Sequence, residues 1–173
     1  QYDYNDISNG VSTLLNGWPT IGKKVKKVEN KISKLLKVKN AIMMNSGGSA
    51  NFLILYLLTS VYAKKEDRLN KGDEIITPAV TWSTTVAPII QAGCTPVFAD
   101  VELGTYEIDV KEIKKLITKK TRAIMLVHPL GHSCDMDKIL KICKKNKLVL
   151  IEDTCESIGA KYKNKYLGTF GKF

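Results

Sequence analysis

Residues 43–52, Met43-Met44-Asn45-Ser46-Gly47-Gly48-Ser49-Ala50-Asn51-Phe52 ("MMNSGGSANF"), put small and polar residues between an apolar stretch and the run "FLILYLL". Glycine weakens strands and helices alike, so two adjacent glycines at this junction need a local reason. One reason is a tight turn. Another is a loop whose backbone amides must come close to a ligand. Upstream, Ala41–Met44 reads as a short strand, and downstream residues 49–62 read as a nearly all-apolar helix, buried on most sides. A strand, a glycine turn and a buried helix in succession are the opening of an α/β unit.

The same alternation continues in both directions. Val25, Val28, Ile32, Leu35 and Leu36 recur at three- and four-residue spacing and predict a helix over 23–37. Residues 1–20 are polar and read as an irregular arm, and "KKEDRLNKG" (64–72) as a charged loop. "EIITP", "TPVFADV", "RAIMLVH" and "LVLIED" read as further strands, which with Ala41–Met44 makes five. Between them lie "STTVAPIIQAG", a short helix disturbed by Pro88, then "DVKEIKKLI" with a capping-box-like Asp109 and Glu112, and "MDKILKICKKN" capped by Asp135. "KYKNKYLG" reads as a small hairpin. Continuous apolar strands separated by helices predict a parallel sheet covered on both faces. No repeat or linker interrupts the pattern, so 21–173 reads as one unit behind the 1–20 arm.

The 173 residues suit one domain with a sizeable core, and 44% hydrophobic with 25% charged residues is ordinary for a soluble protein. The longest apolar run, Phe52 to Leu58, falls far short of the roughly 20 residues that span a membrane. "QYDYNDISNG" has neither the basic start nor the apolar core of a secretory signal, which makes the cytoplasm the default location. It does not begin with Met, so upstream residues are expected. The net charge of +10 comes almost wholly from lysine, since only Arg68 and Arg122 of the 27 basic residues are arginines. Arginine is the usual reader of guanine edges and phosphate forks, so the lysines predict a solvated surface, not a nucleic-acid face. Cys94, Cys134, Cys143 and Cys155 contain no C-x-x-C pair and read as reduced thiols. Pro129 and Gly131 break any helix that would align His128 and His132, so no metal site is expected there.

In parallel sheets ligands bind beyond the carboxyl ends of the strands. "NSGGSAN" opens a helix there, so free amides and the positive end of the helix dipole face one spot, which suits a phosphate. It is neither G-x-G-x-x-G nor a P-loop, which argues against dinucleotides and nucleoside triphosphates. A plain connection fits it too. In "TPAVTWSTT", Trp82 at the pocket edge suits the stacking of a flat ring, or it is core. In "IEDTCES", Glu152 and Asp153 end an apolar strand, where a carboxylate must be solvated, paired or bound to a cation. A protonated heteroaromatic nitrogen is one partner; a helix cap by Asp153 is the alternative. Amide cradle, aromatic plane and acid together outline the holder of a phosphorylated aromatic cation. Pyridoxal 5′-phosphate fits that outline.

"NSGGSAN", the stretch from Gly72 to Asp109, "KTRAIMLVHPLG", "DMDKI" and "LVLIEDTCESIGAKYKNKYLGTFG" resemble, in order, the DegT/DnrJ/StrS family. Its members are pyridoxal-phosphate enzymes acting on nucleotide-linked keto-sugars, usually as aminotransferases. The resemblance runs from about Gly17 to Gly171. It implies the aspartate-aminotransferase-like (fold type I) large domain, a three-layer sandwich with a mostly parallel sheet, and a homodimer with shared active sites. By position, it implies that Gly47 and Gly48, with Ser49 and Asn51, hold the cofactor phosphate. Trp82 would stack on the ring, and Asp153 would pair with its nitrogen. Glu156 stands where aminotransferase members commonly carry Gln near the phenolic oxygen. A carboxylate there either alters the cofactor's electronics or turns away.

The family's Schiff-base lysine lies beyond "GTFG", and Lys172 has the wrong neighbours for it. No catalytic residue is therefore assigned within 1–173, and the chain is expected to be a fragment whose sheet and small C-terminal domain continue after Phe173. The leading expectation is an aminotransferase moving an amino group from an amino-acid donor to a nucleotide keto-sugar. One alternative is the family's branch of 3-dehydratases, with histidine in place of that lysine. The other is a non-catalytic, degenerate cofactor-binding module.

Overall fold

The computed structural model describes residues 2–18 and 20–173; Gln1 and Pro19, both within the expected arm, lie outside the described residues. The chain divides into two compact units, Gln1–Met43 and Met44–Phe173. The first unit holds two helices, α1 (Tyr4–Leu15) and α2 (Lys23–Leu36). Helix α1 corrects the expectation of an irregular arm. Its start is set by a capping box, in which the Asp6 amide donates to Asp3 Oδ1 at 2.9 Å and the Asp3 amide donates to Asp6 Oδ2 at 3.1 Å. Ile7, Val11 and Leu14 lie on one stripe but all are exposed, so the hydrophobic signal was thin and the cap decides. Ala41–Met44 is a second correction, because it forms no strand. The Met43 amide bonds to Glu29 Oε1 at 2.9 Å instead of to a neighbouring strand.

The second unit is a four-stranded parallel sheet in the order β2-β1-β3-β4. Its strands are β1 (Glu74–Pro78), β2 (Thr95–Ala99), β3 (Thr121–Val127) and β4 (Val149–Asp153). Four helices flank it: α3 (Gly47–Thr59), α4 (Ser83–Gln91), α5 (Val110–Leu116) and α6 (Met136–Asn146). Side chains alternate across a strand, and the two cores follow that alternation. Ile76, Ile124, Leu126 and Leu150 pack with α5 and α6 through Ile113, Met136 and Ile139. Ile75, Ala123, Met125 and Ile151 pack with α3 and α4 through Leu55, Leu58 and Ile89. This is the expected three-layer sandwich. Asp109 and Asp135 cap α5 and α6 by accepting the Lys111 and Lys138 amides at 2.7 and 3.1 Å.

The strand order places the outgoing connections of β1 and β3 on opposite faces, leaving a crevice at the carboxyl edge of the sheet. Beyond β4, the hairpin β5–β6 (Lys161–Tyr162 and Lys165–Tyr166) turns through Lys163 and Asn164, both at positive φ. The chain then returns to β4. The Lys172 amide donates to the Leu150 carbonyl at 2.8 Å, and the Glu152 amide donates to the Phe173 carbonyl at 2.9 Å. Glycine is required at 171, where a Cβ would sit 2.6 Å from the Leu150 oxygen.

Gly171→Ala should therefore lower the melting temperature and release residues 171–173 from β4. Hydrogen exchange at the Glu152 amide is the check, and unchanged protection there would refute the close-approach argument.

Candidate active site

Two adjacent acids end β4, and strand alternation sends them to opposite faces of the sheet. Glu152 turns toward the layer of α6. Its side chain and that of His128 are fully buried, with His128 Nε2 3.1 Å from Glu152 Oε2. The Gly168 amide donates to the same oxygen at 3.0 Å. The other oxygen accepts the Phe170 amide at 2.7 Å and the Gly171 amide. A carboxylate offers about four lone pairs, and all of those on Glu152 are taken. The Cys134 amide donates to His128 Nδ1 at 3.4 Å, which assigns Nε2 as the donor to Glu152. Burial alone would push the Glu152 carboxyl up. The hydrogen bonds from His128, Gly171 and Gly168 outweigh it and hold the group below its ordinary value. Glu152 is thus a structural acid that binds the 168–171 turn to β4.

Asp153 faces α3 and α4, and its surroundings differ. Oδ2 accepts Asn51 Nδ2 at 2.9 Å and Thr85 Oγ1 at 3.1 Å, while Oδ1 accepts the Cys155 amide at 3.1 Å. Three of its four lone pairs are occupied, and one on Oδ1 stays open. No helix follows β4 among the described residues, so Asp153 is not a helix cap.

Of the residues singled out from sequence, Asn51 is the one in direct contact with this acid among the described residues. Ser46 caps α3: its hydroxyl accepts the Ser49 amide at 3.1 Å, and its carbonyl accepts the Ala50 amide at 3.1 Å. Of the first four amides of the helix, those of Gly47 and Gly48 are left without a partner among the described residues. Gly48 has a packing reason to be glycine, because a Cβ would meet Thr84 Cβ and Cγ2 at 3.3 Å. Gly47 has none of that kind. Its Cβ would make only ordinary contact with Cys155 Sγ, at 3.9 Å. An open hollow of about 850 Å³ at the start of α3 is bordered by Ser46, Gly48, Ser49, Phe52, Thr84 and Pro88, while Gly47, Trp82 and Asp153 are not among its lining residues.

Trp82 is 74% exposed at the N-cap of α4, which removes its reading as core. Beside it, Thr81 Oγ1 is buried without a partner among the described residues. Glu156 turns toward the loop after β3, where its Oε2 accepts the Leu130 amide at 3.1 Å. The Lys172 ammonium is paired with Asp67. Asn51, 6% exposed, spends its amide on Asp153 and on the Thr84 carbonyl at 3.3 Å, not on the glycine turn. Thr85 is the residue that sequence reasoning missed. A hydroxyl three positions after Trp82 was the available signal, but nothing local aims it at a distant strand end.

Burial pushes Cys134 and Cys143 up to about 12 and raises Cys94, leaving Cys155 as the exposed one.

A family model described as the DegT/DnrJ/EryC1/StrS aminotransferase family matches residues 2–173. The chain is 42% identical over 152 residues to a GDP-4-keto-6-deoxy-D-mannose 3-dehydratase of Escherichia coli O55:H7, covering 88% of this chain and 38% of that protein. It is 39% identical over 150 residues to a GDP-perosamine synthase of Escherichia coli O157:H7, covering 87% and 39%. Among solved structures, an E. coli GDP-4-keto-6-deoxy-D-mannose-3-dehydratase with bound hydrated pyridoxal phosphate superposes with a TM-score of 0.90 at 40% identity. That match covers 99% of this chain and 43% of the other. The chain therefore spans about two-fifths of the length of these relatives.

Glu152→Gln tests the saturated carboxylate. Because the folded value is depressed, its stabilisation is complete above the ordinary 4.5 and drains as pH falls below it. The substitution should cost about 1–3 kcal/mol near neutral pH, by stranding buried donors. It should also flatten the fall of melting temperature below pH 4.5. An unaltered acid slope would show that this carboxylate is not the group responsible.

Proposed function

Since the chain belongs to the DegT/DnrJ/EryC1/StrS aminotransferase family, we propose that it is the cofactor-holding part of a pyridoxal-phosphate enzyme acting on a nucleotide-linked keto-sugar. One observation carries the reading. An acid with one open lone pair is joined through Asn51 to α3, whose start leaves two amides free, and through Thr85 to α4, whose N-cap is an exposed indole.

The residues present fit the cofactor. The Gly47 and Gly48 amides, with the hydroxyl of Ser49, suit a phosphate at the positive end of α3. The Trp82 indole offers a face for a flat ring. The open position on Asp153 Oδ1 would accept a protonated ring nitrogen. When bound, pyridoxal phosphate supplies an electron sink for the charge left on a substrate carbon. Asp153 would keep the nitrogen's proton in place. Trp82 would cover one face of the ring and exclude water on that side. Glu156, tied to the Leu130 amide, orders the loop after β3. Two chemistries fall to such a site. Amino transfer from an amino-acid donor, probed with glutamate, is the first. Loss of the C3 hydroxyl is the second, and it is favoured by the higher identity to the 3-dehydratase than to the perosamine synthase. The partner of the exposed α3 residues Phe52, Leu53 and Tyr56 is proposed to be a second copy of the chain.

The purified protein should shift the pyridoxal phosphate absorbance on binding, and borohydride should trap no stoichiometric lysine adduct within residues 1–173. Asp153→Ala should weaken binding at least tenfold, and Glu156→Gln by less than threefold, since only the first removes a ring contact. Equal losses would refute the roles assigned to the two acids.

The parent protein, given cofactor, glutamate and a GDP- or dTDP-linked 4-keto-6-deoxy sugar, should yield by mass spectrometry either the amino sugar or the 3-deoxy product. Turnover of neither sugar would remove the substrate reading.

A further inference from the structure

We propose that Asn51, Thr85 and Pro88 are positioning residues for Asp153, selecting which of its lone pairs stays open to a cationic ring nitrogen. The proposal rests on the cofactor reading above and moves Asn51 from the phosphate end of the site to the nitrogen end.

The chain of cause starts at Pro88, inside α4. Proline has no amide hydrogen, so the carbonyl four residues earlier, that of Thr84, loses its helical donor. The freed carbonyl is left open to another donor. Asn51 Nδ2 supplies it, at 3.3 Å, and with its second hydrogen reaches Asp153 Oδ2 at 2.9 Å. Two acceptors on one side of the amide fix its orientation, because the flipped amide would set its oxygen against both of them. No hydrogen of Asn51 is left for a phosphate.

Thr85 completes the set. It is buried at 1% exposure, and its hydroxyl donates to the same Oδ2 at 3.1 Å. Oδ2 is thereby filled. Oδ1 keeps one position after accepting the Cys155 amide. The helix defect that looked like a disturbance in the sequence is the feature that frees a carbonyl to orient the amide.

The test compares three probes by absorbance or fluorescence titration: pyridoxal phosphate, pyridoxal without its phosphate, and a carbocyclic analogue of pyridoxal phosphate with C–H in place of the ring nitrogen. Asn51→Ala and Thr85→Val should weaken the first two by the same factor, about tenfold or 1.4 kcal/mol, and leave the third unchanged. Pro88→Ala restores a helical donor to compete for the Thr84 carbonyl. It should give the same nitrogen-selective loss, about threefold, with no fall in melting temperature. Pro88→Ala thus keeps the test decisive if the buried substitutions fail to fold.

A loss confined to the two phosphate-bearing probes would return Asn51 to the phosphate and overturn the proposal. Equal losses for all three would reduce these residues to packing and also overturn it. If the unsubstituted protein binds the carbocyclic analogue as tightly as pyridoxal phosphate, Asp153 does not read the nitrogen and the proposal falls alone. If it binds none of the three, the cofactor reading itself is wrong.

Discussion

The amide of Asn51 is the point at which three elements of the second unit meet: α3 supplies it, α4 accepts it at Thr84, and β4 accepts it at Asp153. Both acceptors share this one amide, so losing it would cost two hydrogen bonds at once. The geometry of the strand end follows. Asp153 is held by Asn51, Thr85 and the Cys155 amide, and so cannot swing to find its own partner. A carboxylate held this way meets a ligand without first being ordered, which is the advantage of preorganisation.

Asp153 and its neighbour Glu152 show how one strand makes two different acids from the same chemistry. Alternation sends Glu152 toward α6, where His128 and the 168–171 turn fill every lone pair. Asp153, on the other face, keeps one open. The difference lies in the count of donors and not in burial alone. It separates a residue that fastens the chain from one that is free to bind. Both arginines also serve the fold: Arg68 reaches the carbonyls of Val61 and Ala63, and Arg122 that of Glu66.

The parallel sheet, its helices and the hairpin were legible because their signals are local and redundant. β-branched runs, aspartate caps and the alternation of strand with helix all agree. Helix α1 was missed because a polar composition hid a capping box, and Ala41–Met44 was overread because four apolar residues carry a strand's propensity without a strand's neighbours. Propensity proposes a strand, but only pairing makes one. The glycine turn, Trp82 and Asp153 were singled out from their places just after predicted strands. The partners of Asn51 were not legible, since its sequence neighbours are glycines while its side-chain partners lie 33 and 102 residues away.

By itself, then, the amino-acid order determined the layers and the family, because periodicity, caps and turn residues act over a few positions. Tertiary structure decided which acid is left with an open position, that a side chain at Gly48 would crowd Thr84 while one at Gly47 would not be crowded, and which donor the Thr84 carbonyl finds beside Pro88. Those properties depend on hydrogen-bond partners and close approaches between segments far apart in the chain, and no local pattern encodes a count of lone pairs.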